Sequence, residues 1–403
     1  MRITFSNWLT APRLIAHALL LAVCLWTVYA YHMSVPGLFD RNGLIKGTDF
    51  LHFYTIGSLA ADHRGDLLYD MRGQNEFLSQ MLPEARNYVY VPLYGPQLSV
   101  FFSPFAHFGY LQALTIWLAT NCCIYALCCY VVWRCCPQLM QFRWTVALAA
   151  LGFPGFFHLI LWGQTSGLAL LCFVLAYVAL RNKHDFLAGL AFGSLIFKPQ
   201  LGIAAAVIFL ATQQWKLVSG ALVAGAAQLA AGWLCFGSSV MKNYWQTLLN
   251  IPHVLPFFEP RPYQTHSLRW FFSMLIPMHA LALFLYGLAA IAVLYLLVRV
   301  WQQKTSLDLQ YSALLMATVL VSPHLTVYDL VILAPAFLLL SNEVCNKNSA
   351  NTVSIKYLLY ALFPLFLAGP LARVTHIQLS VLAMAALFWI CCNLIREPAT
   401  QPG

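Results

Sequence analysis

The chain has 403 residues, of which 61% are hydrophobic and 9% charged, against about 25% charged residues in soluble domains. This composition excludes a soluble globular protein. The net charge of +9 does not mark a nucleic-acid binder, because the cations are scattered one or two per polar segment.

Arg2 and Arg13 precede a first apolar span at 14–31. No small-residue cleavage site follows it, so it reads as an uncleaved helix and not a signal peptide. A polar segment runs from 32 to 97. Further spans are predicted at 111–133, 145–161, 166–180, 186–197, 201–212 and 217–236. After a second polar segment, 237–279, come 280–298, 309–321, 325–340, 357–369 and 377–395. Runs near 20 apolar residues suit helices crossing a roughly 30 Å hydrocarbon core, and the ~10-residue alternating segments of a β-barrel are absent. The expectation is an all-α polytopic membrane protein of about twelve transmembrane helices, one multispan domain over 1–403.

Orientation follows from charge. If both termini are cytoplasmic, that side holds twelve Lys and Arg against four Asp and Glu, net +8, while the outer side holds ten against nine, net +1. The asymmetry obeys the positive-inside rule and places 32–97 and 237–279 outside.

The twelve cysteines lie mostly within or at the ends of apolar spans, where they act as small hydrophobes. Adjacent pairs such as Cys135–Cys136 lack zinc-ligand spacing, so no metal site is expected. Spans 186–197 and 201–212 are too short to cross comfortably at ~1.5 Å per residue. They meet at Lys198-Pro199-Gln200, where Pro199 ends the first helix, and the break is expected to border a water-filled cavity. Gly220, Ala221, Ala224 and Gly225 give small-residue spacing for close helix packing.

Under this topology one side collects Asp49, His52, Gln164, Lys198, Gln200, His266, Arg269, His324, Asp329 and Arg373. Ionisable groups near a membrane are costly and tend to face a cavity, so each is a candidate. Asp49 opens an amphipathic interfacial helix through Phe50, Phe53 and Tyr54, and is read either as its cap or as a catalytic base. His52, three residues on, is read as structural or solvent-facing. In Gly163-Gln164-Thr165-Ser166, Thr165 or Ser166 caps the next helix. Lys198 either meets a phosphate or snorkels. Asp329 needs partners if buried and supports the site beside Tyr328, while His324 at an exposed turn contacts ligand. The segment His253–Arg269, with Arg261, His266, Arg269 and several prolines, is an ordered connector or a lid. Arg373 with His376 is an interfacial anchor.

Taken in order, Gly47-Thr48-Asp49-Phe50, Tyr90-Val91-Pro92-Leu93-Tyr94-Gly95-Pro96, Gly163-Gln164, Lys198-Pro199 and Ser322-Pro323-His324 with Tyr328-Asp329 resemble the integral-membrane glycosyltransferases of family 87. That family includes polyprenol-phosphate-mannose-dependent α-1,2-mannosyltransferases. The chain departs from it at Pro92-Leu93, where the family often has Pro-Pro, and after Gly163-Gln164, where it often has Asn. The resemblance implies a GT-C fold with extracytoplasmic loops forming the active site in a bacterial inner membrane. It implies a polyprenyl-phosphate-linked hexose donor and a lipid or glycan acceptor. Asp49 maps onto the family's general base. Lys198, His324, Arg261, Arg269 and Gln164 would hold donor and phosphate, with His52, Asp329, Tyr328 and His266 in support. No Asp-x-Asp occurs in the first loop, so no metal or other cofactor is expected. A transporter or flippase, or a structural subunit, is the non-enzymatic alternative.

Overall fold

The computed structural model describes residues 9–251, 261–303, 305–346 and 349–396. Among them the fold is helical, with extended pairing limited to two isolated bridges, Phe39 with Ile45 and Thr265 with Thr326. Residues 252–260, which hold much of the expected lid, lie outside the described residues, as do Arg2, Lys304, Lys347 and Glu397 of the charge argument.

Helix α1 spans Ala11–Met33. The polar segment after it folds into α2 (Thr48–Ala61), α3 (Met71–Met81) and α4 (Pro96–Phe102). The bundle continues with α5 (Tyr110–Arg134), α6 (Arg143–Leu151), α7 (Pro154–Trp162) and α8 (Ser166–Arg181). Next come α9 (Asp185–Gly193), α10 (Ile203–Ala211) and α11 (Trp215–Leu249). It closes with α12 (Leu268–Leu275), α13 (His279–Trp301), α14 (Leu307–Val321), α15 (Ala334–Asn346), α16 (Ala350–Phe366), α17 (Gly369–Thr375) and α18 (Leu379–Arg396).

The twelve expected spans reappear in order as helical segments, but only some are long enough to cross. Among the described residues five helices have the length and apolarity, or seven if the bent pairs Pro137–Leu151 with Pro154–Trp162 and Asn351–Phe366 with Gly369–Thr375 each count as one span. Five more apolar helices have 10–17 residues, and at about 1.5 Å per residue most fall short of a ~30 Å core. The centre is the stretch Val327–Asn346, whose apolar window is 72% buried, against 6% for α1 at the periphery. Helix α14 flanks it and is buried from Leu309 to Val321.

Three features differ from the sequence reading. The predicted 217–236 span continues to Leu249, across a non-helical break at Gly237, so much of the polar segment 237–279 is helical. The short pair around Lys198 is tightened into 3₁₀ turns on both sides, Ser194–Phe197 and Pro199–Gly202. Helix α2 is not an amphipathic surface helix: Phe50 to Leu59 are all buried. Its aromatic residues explain this, since Phe50 packs on Phe102, Phe105, Tyr110 and Trp117, and Phe53 on Tyr94 and Phe102. The small residues behave as expected: a Cβ on Gly220 would lie 2.2 Å from the Phe186 carbonyl oxygen of α9.

Candidate active site

Gly47 precedes α2 with its backbone in the left-handed region at φ 65°. The turn favours glycine, and a Cβ there would come within 2.4 Å of Leu114 Cδ1, which would have to move. Thr48 is then the first helical residue and Asp49 the second. The cap position belongs to Gly47, which corrects the reading of Asp49 as a cap. The carboxylate instead sits in the first turn, where unpaired N–H groups favour negative charge.

Three tyrosine hydroxyls fix the backbone before it. Tyr88 accepts from the Ile45 N–H at 2.8 Å, and Tyr110 donates to the Lys46 carbonyl at 2.6 Å. Tyr90 donates to the Thr48 carbonyl at 2.5 Å.

The opposite wall starts at Gly163, also left-handed at φ 69°, which closes α7. A Cβ on it would lie 2.8 Å from Phe50 Cβ. Trp117 Nε1 donates to the Gly163 carbonyl at 2.9 Å and Asn121 Nδ2 to that of Gln164 at 3.2 Å. The Thr165 N–H donates to Gln164 Oε1 at 2.9 Å. This assigns the amide orientation, and Nε2 donates to Asp49 Oδ2 at 2.9 Å.

Asp49 is partly exposed. Loss of solvation pushes its carboxyl up to about 6. The Gln164 hydrogen bond and the Lys198 and His324 charges oppose that rise, and the Asp329 charge adds to it.

Behind Asp49 lies a second carboxylate in a different state. Lys198 is 4% exposed and Asp329 1%. Lys198 Nζ donates to Asp329 Oδ1 at 2.7 Å and to Ser166 Oγ at 2.9 Å. Ser166 donates to the same oxygen at 2.6 Å. The other oxygen accepts from the Thr326 N–H at 3.2 Å, completing a capping box. Tyr328 lies under the ammonium at 5.0 Å from its ring centre.

The snorkelling reading of Lys198 is therefore overturned, since the ammonium is buried and paired. Ser166 also differs from expectation. The cap position is Thr165, whose side chain makes no cap bond, while Ser166 serves the ion pair.

The remaining candidates divide. His324 is only partly exposed, not fully open as the turn suggested, and its charge bears on Asp49. Arg269 donates to the neighbouring Pro323 carbonyl at 2.9 Å, which fixes that turn. Arg261 is exposed, 6.0 Å from the Trp162 ring centre beside Gly163. His266 is 1% exposed, with Nδ1 2.7 Å from Ser380 Oγ. Burial lowers it to about 3, with the His158 charge adding to the fall, so it is a neutral structural imidazole. His52 is also buried, not solvent-facing. Burial lowers it to about 4, and neither ring nitrogen has a protein partner. It lies against the Tyr90 and Tyr94 rings. Arg373 stacks on Tyr263 at 5.7 Å.

Sequence reasoning missed Tyr88, Tyr90, Tyr94, Tyr110 and Ser166 as functional support. Tyr94 lies within electrostatic reach of Asp49, Lys198 and Asp329, and burial raises its hydroxyl. Its signal was present, since Tyr90 and Tyr94 stand inside the motif 90–96.

Fold and site together define a polytopic helical membrane protein with an accessible, poorly solvated carboxylate above a buried ion pair. The chain belongs to glycosyltransferase family 87, whose model matches residues 93–323, more than half its length. It is thus a membrane glycosyltransferase. The matched stretch contains Tyr94, Gln164, Ser166 and Lys198. Asp49, His52, His324, Tyr328 and Asp329 fall outside it and join it through the geometry above. No curated protein and no solved structure matches the chain.

Proposed function

We propose that the protein transfers a hexose, mannose in the favoured form, from a polyprenyl-phosphate donor to a hydroxyl of a lipid or glycan acceptor. Asp49 is the general base. The observation that carries this reading is the state of Asp49: accessible, held by Gln164 through one oxygen, and poised near 6, close to where a general base works best.

Asp49 takes the acceptor hydroxyl proton as that oxygen bonds to the anomeric carbon. The bond from that carbon to the phosphate oxygen breaks, and polyprenyl phosphate leaves with the electron pair, inverting the sugar. Charge growing on the phosphate needs nearby cations. Lys198 and His324 act on Asp49 electrostatically and are the groups assigned to it, with Arg261 at the rim and Arg269 fixing the His324 turn.

The same reading includes a GT-C architecture of about twelve crossings, with the shorter apolar helices spanning a locally thinned or cavity-lined region. Both termini are cytoplasmic, and Asp49 acts on the periplasmic side of a bacterial inner membrane.

The test incubates purified protein with radiolabelled polyprenyl-phosphate mannose and a membrane lipid extract. The reading predicts a labelled glycosylated product and released polyprenyl phosphate. Movement of intact donor across vesicles without any transfer would favour a flippase instead.

A further inference from the structure

A second feature lies away from Asp49. Helix α1 is fastened to the bundle at two levels. Towards its end, Trp26 Nε1 donates to the Leu151 carbonyl at 2.9 Å and the indole packs on Phe156. Near its start, Lys356 Nζ donates to the Leu9 carbonyl at 2.7 Å, and Tyr360 pairs with His17 Nδ1 at 2.9 Å. Between these fastenings α1 packs against the end of α6, where a Cβ on Gly152 would lie 3.3 Å from the Ala18 carbonyl oxygen, and stands away from α15 and α16. It leaves a cleft of about 970 Å³ lined by such residues as Leu21, Val146, Ala149, Phe337, Leu359 and Phe363.

An apolar cavity of about 150 Å³ already stays dry and takes up benzene, and this cleft is several times larger. Its walls are apolar helices of the membrane bundle, so hydrocarbon and not water is its natural content. Polar groups gather at the Leu9 end. Lys356 lines the cleft there, donates only to a carbonyl, and has no ion-pair partner among the described residues. An ammonium beside a lipid-filled cleft suits a phosphate head group.

We infer that this cleft binds one anionic phospholipid, a hydrocarbon chain between α1 and α15–α16 and its phosphate at Lys356. The site shares no residue with the Asp49 site and stands independently of the reaction proposed above.

The test uses full-length protein in detergent, stripped of lipid and offered dioleoyl-phosphatidylglycerol, dioleoyl-phosphatidylcholine or polyprenyl phosphate, with bound lipid counted by native mass spectrometry. One phosphatidylglycerol per protein is expected, favoured over phosphatidylcholine by about fivefold, the effect of one cation near a lipid surface. Lys356→Gln keeps a donor for the Leu9 carbonyl and is expected to bring that preference to parity. Ala18→Trp and Ala149→Trp fill the cleft from two of its lining helices, α1 and α6, and are expected to abolish retention in whichever folds. Failure of the wild type to retain lipid, equal retention of both phospholipids, or preference for polyprenyl phosphate would each overturn the inference. Should neither tryptophan variant fold, the wild-type preference and its loss in Lys356→Gln still decide.

Discussion

Asp49 and Asp329 are the same side chain in the same local setting, the first turn of a helix, yet the bundle treats them oppositely. Asp329 is buried and has both oxygens engaged, by Lys198, Ser166 and the Thr326 N–H. Asp49 is partly exposed and has one hydrogen bond, from Gln164 to Oδ2. A carboxylate paired on every side holds structure and has no capacity left for a substrate proton. One that has lost solvent without gaining a salt bridge has its proton affinity raised. On the reading proposed above, the difference separates the general base from the carboxylate that supports it.

Substitutions that exchange these two states break the comparison in graded ways. The largest effect falls on the rate. Asp49→Asn removes the base and is expected to lower transfer by about 10²–10⁴-fold, as measured on labelled donor in membranes, while the unfolding temperature at neutral pH holds or rises, because a neutral amide escapes the desolvation cost of the charged carboxylate.

Next is Lys198→Met, which strands the Asp329 carboxylate in the core. Breaking a buried pair from one side costs about 3–5 kcal/mol, readable as a fall in thermal stability. Lys198→Met with Asp329→Leu removes both charges and is expected to restore most of the stability. Transfer is expected to stay low in the double variant, because the phosphate has lost a cation. Recovery of transfer along with stability would make the pair purely structural.

Gln164→Leu has a smaller effect that depends on pH. The amide favours the charged form of Asp49, so its loss raises the carboxyl further. The acid limb of the rate profile then moves up by about one unit, an approximately tenfold loss on its acid side. Stability runs the other way. The folded-state value near 6 exceeds the roughly 3.9 of an unfolded aspartate, so protonation favours folding. That contribution is complete below about 4 and lost as pH rises through 6, where activity appears.

The smallest change is expected for His52→Phe. Both imidazole nitrogens are buried without protein partners, and an apolar ring of similar shape leaves nothing unsatisfied. Transfer within about threefold of wild type and unchanged or slightly higher stability are expected.

Much of the bundle was legible because apolar run length and proline breaks act locally. The segments around 14–31, 111–133 and 280–298 became α1, α5 and α13, and Lys198-Pro199 did break a short pair. Asp49, Gln164, Lys198 and Asp329 were identified as candidates. Their pairing was not legible, because Gln164 and Asp49 are 115 positions apart and Lys198 and Asp329 are 131. The burial of α2 was missed because its aromatic residues looked interfacial until Phe102, Phe105 and Trp117 closed over Phe50. The tyrosines that hold Ile45 to Thr48 were not legible either, since Tyr88 and Tyr90 come from one stretch and Tyr110 from another, each more than forty positions from the backbone it holds.

The central claim is that Asp49 takes the acceptor proton. The most direct measurement is the pH dependence of single-turnover transfer from polyprenyl-phosphate mannose by wild type and Asp49→Asn. The wild-type rate should rise through a single limb centred near 6, and the residual rate of the variant should show no such limb. The same limb at the same pH in Asp49→Asn would assign the proton to another group and contradict the account.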